Sequence, residues 1–381
     1  MCNRREFLFG VLGLGVLQHN SIGSILSQSE YESTGSHLIG GVASTNIVRG
    51  SIAVVAASDA SAIERAQADY TCDGTADEVQ IQAAINSVSA GGVVFLSTGS
   101  FYTSATITIT TPITLVGSGF NVTGINLRFN GDMVSIGSGS YQTLGGIRDM
   151  ALDGNKATQT SGSGLNIANN ARYLDFNRLI IRNFAEYGIY GNNSNAGAQS
   201  WITHSLISGN TLGGIRFAIQ YINDNVFAGN GVAQINGTST DERLISGNHM
   251  MDLQTAIGID IYSSSQYRIV NNYIVDCNMG IRCRGGCHSL TITGNQITGF
   301  SSTDAGQIAI NIDDAYDAIV VNNIIETKAP YVGLYGIYAT RDPGLRTVID
   351  NNIINDSAQA LTAKYSVPES THIGNQWVED Y

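Results

Sequence analysis

The sequence predicts an all-β solenoid: a single-stranded right-handed parallel β-helix with a short N-terminal capping helix. Three observations predict it. First, a small polar residue, then any residue, then an apolar one recurs at Asn177, Ser205, Asn225, Asn248, Asn272, Asn295, Asn323, Asn352 and Asn375, in steps of 20 to 29 residues, with Asp149 marking an earlier turn. A period of this size belongs to folds whose repeats bury their apolar faces only against their neighbours. Second, each copy is followed by Gly-Ile-x-apolar, clearest at Gly188-Ile189, Gly214-Ile215, Gly258-Ile259, Gly280-Ile281 and Gly336-Ile337, with weaker copies at Ala309-Ile310 and Ala360-Leu361. Third, these segments alternate apolar and other residues with period two, the mark of a strand with one buried face.

A leucine-rich repeat shares the period, but its Leu framework is missing. No coil shows the helical pattern of ankyrin or tetratricopeptide arrays. Each coil therefore holds at least two short strands joined by Asn- and Gly-bearing corners. The recurring Asn reads as an internal ladder, each side chain bonding backbone or its twin one strand spacing (about 4.8 Å) away. That is a structural role, not a catalytic one. Composition agrees, with 44 Gly against 4 Pro, so corners turn on Gly and Asn. Charged residues are 13% of the chain, and the net charge of −12 argues against a nucleic-acid partner.

In chain order, residues 1–20 read as an export signal, 21–45 as a linker, 46–120 as an N-terminal cap with the first coils, and 121–381 as the β-helix. Arg4-Arg5 precede an apolar run from Phe7 to Leu17. The run is too short to span a bilayer as a mature helix, and the paired Arg followed by Phe7-Leu8 resembles a twin-arginine signal. No other stretch is apolar enough to cross a membrane. Thr75 and Glu78 fit the N-cap and N3 positions of a capping box. Ile81, Ala84, Ile85 and Val88 then share one helical face, so the helix would cover the open edge of the first coil. Gly91-Gly92 ends it. Val93–Leu96, Ala105–Ile109 and Ile113–Gly117 follow as strands.

The segments Cys72-Asp73-Gly74-Thr75-Ala76-Asp77-Glu78, Ile81-Gln82-Ala83-Ala84-Ile85, Gly91-Gly92-Val93-Val94-Phe95-Leu96, Gly99-Ser100-Phe101-Tyr102 and Ile113-Thr114-Leu115-Val116-Gly117-Ser118-Gly119 resemble the N-terminal signature of the pectate-lyase-like β-helix superfamily. That group holds pectate lyases, polygalacturonases, alginate-active enzymes and phage tailspikes. The resemblance spans roughly residues 60–381 and speaks to fold more than activity, because one scaffold hosts many chemistries.

On the Gly-Ile-x-apolar strand, x faces outward. Stacked coils give a column Asn166, Tyr190, Arg216, Asn236, Asp260, Arg282, Asn311, Tyr338, Thr362. A second outward column reads Ala168, Asn192, Ala218, Thr238, Tyr262, Arg284, Asp313, Thr340, Lys364, with Asp314 and Arg341 in the following turns. Arg presents a planar fork to a carboxylate, and Tyr a flat face to a sugar ring. The candidate substrate-binding residues for an acidic polysaccharide are Tyr190, Arg216, Tyr262, Tyr338 and Arg341. The resemblance implies β-elimination beside a uronate carboxylate, with Arg282 or Arg284 as base. It also implies calcium on clustered carboxylates, for which Asp260, Asp313 and Asp314 are the candidates. As hydrolytic acids, Asp260 and Asp313 would stand two coils, about 10 Å, apart. The structural alternative is cross-strand salt pairing of Asp260 with Arg282 and of Arg284 with Asp313.

Several family patterns are missing. Of the polygalacturonase motifs only Asp313-Asp314 matches, and the Asp-Pro-His-Asp run of mannuronan epimerases is not present. A non-catalytic glycan-binding adhesin or tailspike-like protein is therefore the rival expectation. Gly374-Asn375-Gln376-Trp377-Val378 begins a further coil with no closing helix, which points to a homo-oligomer through that end, or to Trp377 and Tyr381 folding over it. Cys277, Cys283 and Cys287 sit in or beside one coil. Cys283 falls in an inward slot as a buried thiol, and the spacing matches no zinc module.

Overall fold

The computed structural model describes residues 37–39, 42–44, 51–138, 142–143, 145–191, 193, 195–217, 219–251, 256–299, 308–327, 333–340, 347–355, 361–366 and 372–374. The chain divides into two compact units, residues 1–49 and 50–381. In the first, His37–Ile39 pairs antiparallel with Val42–Ser44, inside the stretch read as linker. The expected signal lies outside the described residues, as do Asn192, Ala218, Arg341, Asn375, Trp377 and Tyr381.

The second unit is a right-handed parallel β-helix. One face, called the long sheet below, stacks eleven parallel strands from Ile107–Ile109 to Leu361–Ser366, in chain order. Two more strand columns complete each coil. One runs through Trp201–Thr203, Tyr221–Asn223, Leu244–Ser246, Arg268–Val270 and onward. The other runs through Leu206–Ser208, Val226–Ala228, His249–Met251, Tyr273–Val275 and onward. A central coil thus has three strands where the sequence suggests at least two.

The Ile of each Gly-Ile phrase is the inward rung of the long sheet. Ile189, Ile215, Ile235, Ile259, Ile281, Ile310 and Ile337 pair in register and are buried. Each such side chain contributes about 1.5–3 kcal/mol over exposure. The Gly before it has a packing cause. A Cβ on Gly258 would stand 2.6 Å from the Gly280 carbonyl oxygen and 2.8 Å from Ile274, so the backbone of one coil lies against the next.

The Asn ladder is continuous from Ser205 to Asn352. The Asn248 amide nitrogen and side-chain Nδ2 donate to Asn272 Oδ1 at 3.0 and 2.9 Å, and Asn272 donates likewise to Asn295 at 3.0 and 3.0 Å. Each Asn also donates to a backbone carbonyl: Asn272 Nδ2 to Ile245 at 2.9 Å. The residue before each rung (His204, Asp224, Gly247, Asn271, Gly294, Asn322, Asn351) has φ between 51 and 66°. That left-handed turn is tolerated best by Gly, Asn and Asp.

Two expected rungs are corrected. Asn177 pairs with Thr203 rather than Ser205, and the slot above Ser205 belongs to Leu179, whose amide donates to Ser205 Oγ. Asp149 sits at a left-handed turn and pairs with Arg178 outside the core. Beyond Tyr338 the register also differs. Tyr338 faces Ser366 rather than Thr362, so the phrase at Ala360-Leu361 is not the next Gly-Ile copy. A second buried Asn pair joins neighbouring coils, Asn210 to Asn230 at 2.8 Å, at the repeated Gly209-Asn210 and Gly229-Asn230 corners, and Asn230 donates to Gln234 within its own coil at 2.6 Å.

The cap holds two helices, α1 (Ala62–Gln67) and α2 (Glu78–Ser87). In α2 the residues Ile81, Ala84 and Ile85 are buried, as their spacing predicts. The capping box is displaced. Ser61 and Glu64 form it on α1, while the N-cap of α2 is Asp77, which makes no side-chain cap bond. Thr75 donates to Asp73, Asp77 accepts from the Gly74 and Tyr102 amides at 2.9 and 2.8 Å, and Glu78 accepts from Ser104. The acidic residues of this motif thus tie the helix to the first coil. Local spacing could not reveal that, because those partners come from a later strand.

Candidate functional site

The outward residues of the long sheet form the expected columns. Asn166, Tyr190, Arg216, Asn236, Asp260, Arg282, Asn311 and Tyr338 are consecutive register partners. Thr238, Tyr262, Arg284 and Asp313 form the neighbouring column. Parallel pairing with one residue per coil makes such columns, so sequence alone could assemble them.

Their centre is an Asp260–Arg282–Arg284 cluster. Arg282 Nε and Nη2 donate to Asp260 Oδ1 and Oδ2 at 2.8 and 2.7 Å. Arg284 aims the same pair of atoms at the same oxygens at 3.4 and 3.3 Å. The Asp260 side chain is 2% exposed, against 26% for Arg282 and 37% for Arg284. Asp260 faces outward but is roofed by the two guanidiniums. Burial pushes its carboxyl up, and the bonds from Arg282 and then Arg284 outweigh that and hold it below the ordinary value. The cluster carries one net positive charge. The Arg284 guanidinium also lies 5.0 Å from the Tyr262 ring centroid, within cation–π range.

Arg216 forms a second centre. Its Nη1 donates to the Tyr187 hydroxyl at 2.8 Å, and its guanidinium stands 4.6 Å from the Phe217 ring. Tyr187 stacks on Tyr190 with centroids 5.6 Å apart. Both centres share an open groove of about 340 Å³ walled by Tyr187, Arg216, Asn236, Thr238, Tyr262, Arg282 and Arg284.

Tyr187 was not among the expected residues, yet it had a signal. The tetrapeptide Tyr-Gly-Ile-Tyr occurs at 187–190 and again at 335–338, and Tyr335 stacks on Tyr338 at 5.2 Å. Each stacked pair stands three strands from Asp260, on opposite sides.

The three carboxylates expected to share an ion are not gathered. Asp260 is engaged by guanidiniums, the strand carrying Arg282 and Arg284 intervenes, and Asp313 accepts a hydrogen bond from Thr340 Oγ1. Among the described residues no three His, Cys, Asp or Glu come together as metal ligands. Of the expected salt pairs, Asp260 with Arg282 forms, while Arg284 turns to Asp260 as well. Cys72, Cys277, Cys283 and Cys287 are buried free thiols, and burial raises the Cys283 thiol well above its usual value. Among the described residues no helix is long and apolar enough to cross a membrane.

A family described as "Periplasmic copper-binding protein (NosD)" matches residues 123–305. In that stretch no three His, Cys, Asp or Glu come together among the described residues. No curated protein sequence matches the chain. Among solved structures, the chain resembles the A-module of the Azotobacter vinelandii mannuronan C-5 epimerase AlgE6, at 19% identity over 81% of this chain and 97% of that one, with a TM-score of 0.61. It also resembles DFA-IIIase from Arthrobacter chlorophenolicus A6 without its lid (10%, 83% and 92%, TM-score 0.57). A third likeness is to the Dettilon tailspike protein (14%, 80% and 66%, TM-score 0.55). At these identities the likeness is one of fold.

Proposed function

We propose that this right-handed parallel β-helix is an exported carbohydrate-active protein that holds an acidic polysaccharide along its eleven-stranded sheet and cleaves it by β-elimination. The observation that carries the reading is the pair of guanidiniums fixed by one buried carboxylate, with stacked tyrosines on either side. A fork held in place loses little freedom on binding a uronate carboxylate. The neighbours named for a mannuronan epimerase and a tailspike support the carbohydrate class. The periplasmic description of the matching family supports export, together with Arg4-Arg5 and the apolar run after them.

In the proposed reaction Arg282, fixed by its two short bonds to Asp260, faces the substrate carboxylate and neutralises it. That stabilises the negative charge that develops as the neighbouring C–H is broken. Arg284, with longer bonds and more exposure, is the candidate base. Arg284 must first give a proton to water; it then takes the C–H proton, the C–H electron pair becomes the double bond, and the glycosidic C–O bond breaks, its oxygen taking a proton from water. Hydrolysis fits less well, since a general acid must carry a proton and Asp260 is held ionised.

Pectate, alginate and glycosaminoglycans, each with and without Ca²⁺, test this by the ultraviolet absorbance of unsaturated uronates. The calcium arm tests whether Asp313 and Asp314 hold an ion together with the substrate. Activity that survives intact in both Arg282→Ala and Arg284→Ala would remove these residues from the reaction. The second reading is a glycan-binding protein without chemistry, which the full engagement of Asp260 favours. Binding of an acidic polymer with no absorbance change on any substrate would establish it.

A further inference from the structure

A second groove, of about 400 Å³, opens on a different face of the solenoid, and none of its lining residues belongs to the eleven-stranded sheet. At its edge Trp201 and Tyr221 are register partners whose rings stack at 5.3 Å and 14°. Trp201 is 38% exposed. The same outward column continues through Leu244 to Arg268, an exposed cation.

The groove wall is unusual for a β-helix corner. Gln220, Arg243 and Tyr267 occupy successive inward slots and are 8%, 5% and 2% exposed, where the coils on either side place Ser200 and Leu290. Arg243 lines the groove while its guanidinium donates to the Asp241 and Phe217 carbonyls at 3.2 and 3.4 Å. Tyr267, Asp241 and Glu242 also interact with it, so this buried cation is held inside the wall and its charge lies behind the groove. With Arg268 and Glu242, also in the lining, the groove carries one net positive charge on a chain of net charge −12. An exposed indole stacked on a phenol gives a flat apolar platform beside that charge, the pairing that suits a sugar ring bearing an anionic group.

We infer that this groove is a second binding site for an acidic oligosaccharide, carboxylated or sulfated, with Trp201 and Tyr221 as the ring platform, the exposed Arg268 as the anion contact and the charge of Arg243 behind it. It stands on different residues from the groove of the long sheet, so either site can fail without the other. Two sites on two faces would let one molecule hold a polymer strand at one while the other is engaged, raising avidity through effective concentration.

The chain has two tryptophans, so Trp377→Phe leaves Trp201 as the sole indole and its fluorescence as a reporter at the groove itself. This full-length variant is titrated with alginate and polygalacturonate oligosaccharides, with heparin oligosaccharides, and with neutral cello-oligosaccharides. The expected result is a saturable change in Trp201 emission with the acidic ligands only. Comparison of the uronates with heparin separates carboxylate from sulfate. Adding Arg282→Ala and Arg284→Ala should leave the Kd unchanged. Adding Arg268→Gln should raise it about tenfold or more. Gln266→Ala, on the lining of the same groove, should weaken binding too and serves if Arg268→Gln does not fold. The inference is overturned if no acidic ligand changes the emission, if neutral ligands do so equally, or if the Arg282 and Arg284 substitutions abolish the effect.

Discussion

Asp260 decides how its two arginines can act. It is the buried member of the cluster, and both guanidiniums depend on it for position. Asp260→Asn keeps the shape and removes the charge, leaving two cations facing each other in a half-buried wall. We expect a loss of about 2 kcal/mol at neutral pH, read from denaturant midpoints. The folded carboxyl is held below its ordinary value. Its stabilisation is therefore fully present above the unfolded pKa of about 3.9 and is lost as pH falls through the folded one. Wild type and variant should converge in acid. A gap of constant size from neutral pH down to strong acid would show that the carboxylate charge is not what holds the cluster.

The ladder is the element whose energetics the repeat makes most testable. Asn272→Ala strands the buried Asn248 amide nitrogen and takes from Asn248 Nδ2 one of its two bonds, leaving that to the Ile222 carbonyl; it also removes the Asn272 Nδ2 donor from the Ile245 carbonyl. At about 1–3 kcal/mol for each unsatisfied group, the loss should reach about 2–4 kcal/mol. Asn177→Ala, half-buried and outside the ladder, should cost under about 0.5 kcal/mol. Equal costs in thermal unfolding would contradict the corrected alignment. Gly247 offers a different test at the same corner. Its φ is 65°, and a Cβ there would stand 2.2 Å from Asp224 Oδ1. Gly247→Ala should therefore cost about 1–2 kcal/mol, part of it recovered by Asp224→Ala. On the long sheet, the Tyr187 and Tyr335 pairs bracket the charged centre. If a polymer lies along the sheet, Tyr187→Ala and Tyr335→Ala should each weaken binding of long acidic oligosaccharides more than of short ones.

At the scale of the whole molecule, a chain of net charge −12 meeting a polyanion is repelled at long range and attracted only at its arginine clusters. Salt of about 0.1 M screens beyond roughly 10 Å. The association rate should therefore rise from low to moderate ionic strength, the opposite of a basic binder, and stopped-flow mixing would show which holds. Export predicts a new N-terminus between about residues 20 and 50 in the mature protein, read by intact-mass analysis. A secreted form that retains Met1 would contradict removal of the signal.

The sequence by itself determined the β-helix, the inward Ile rungs, most of the Asn ladder and the order of the outward columns. Each of these follows from a period along the chain: two for strand faces, and one coil for stacking. It did not determine the third strand of each coil, whose members such as Leu206–Ser208 and Val226–Ala228 are too short to show alternation. Nor could it place Asn177, since its two-residue offset from the ladder shows only when register is read across coils. Only the tertiary structure decided that Arg282 and Arg284 both turn to Asp260. Column order names neighbours, but which of two adjacent carboxylates a flexible guanidinium chooses depends on burial. Asp260 lies under the cluster where its charge needs a partner, and exposed Asp313 has water and Thr340.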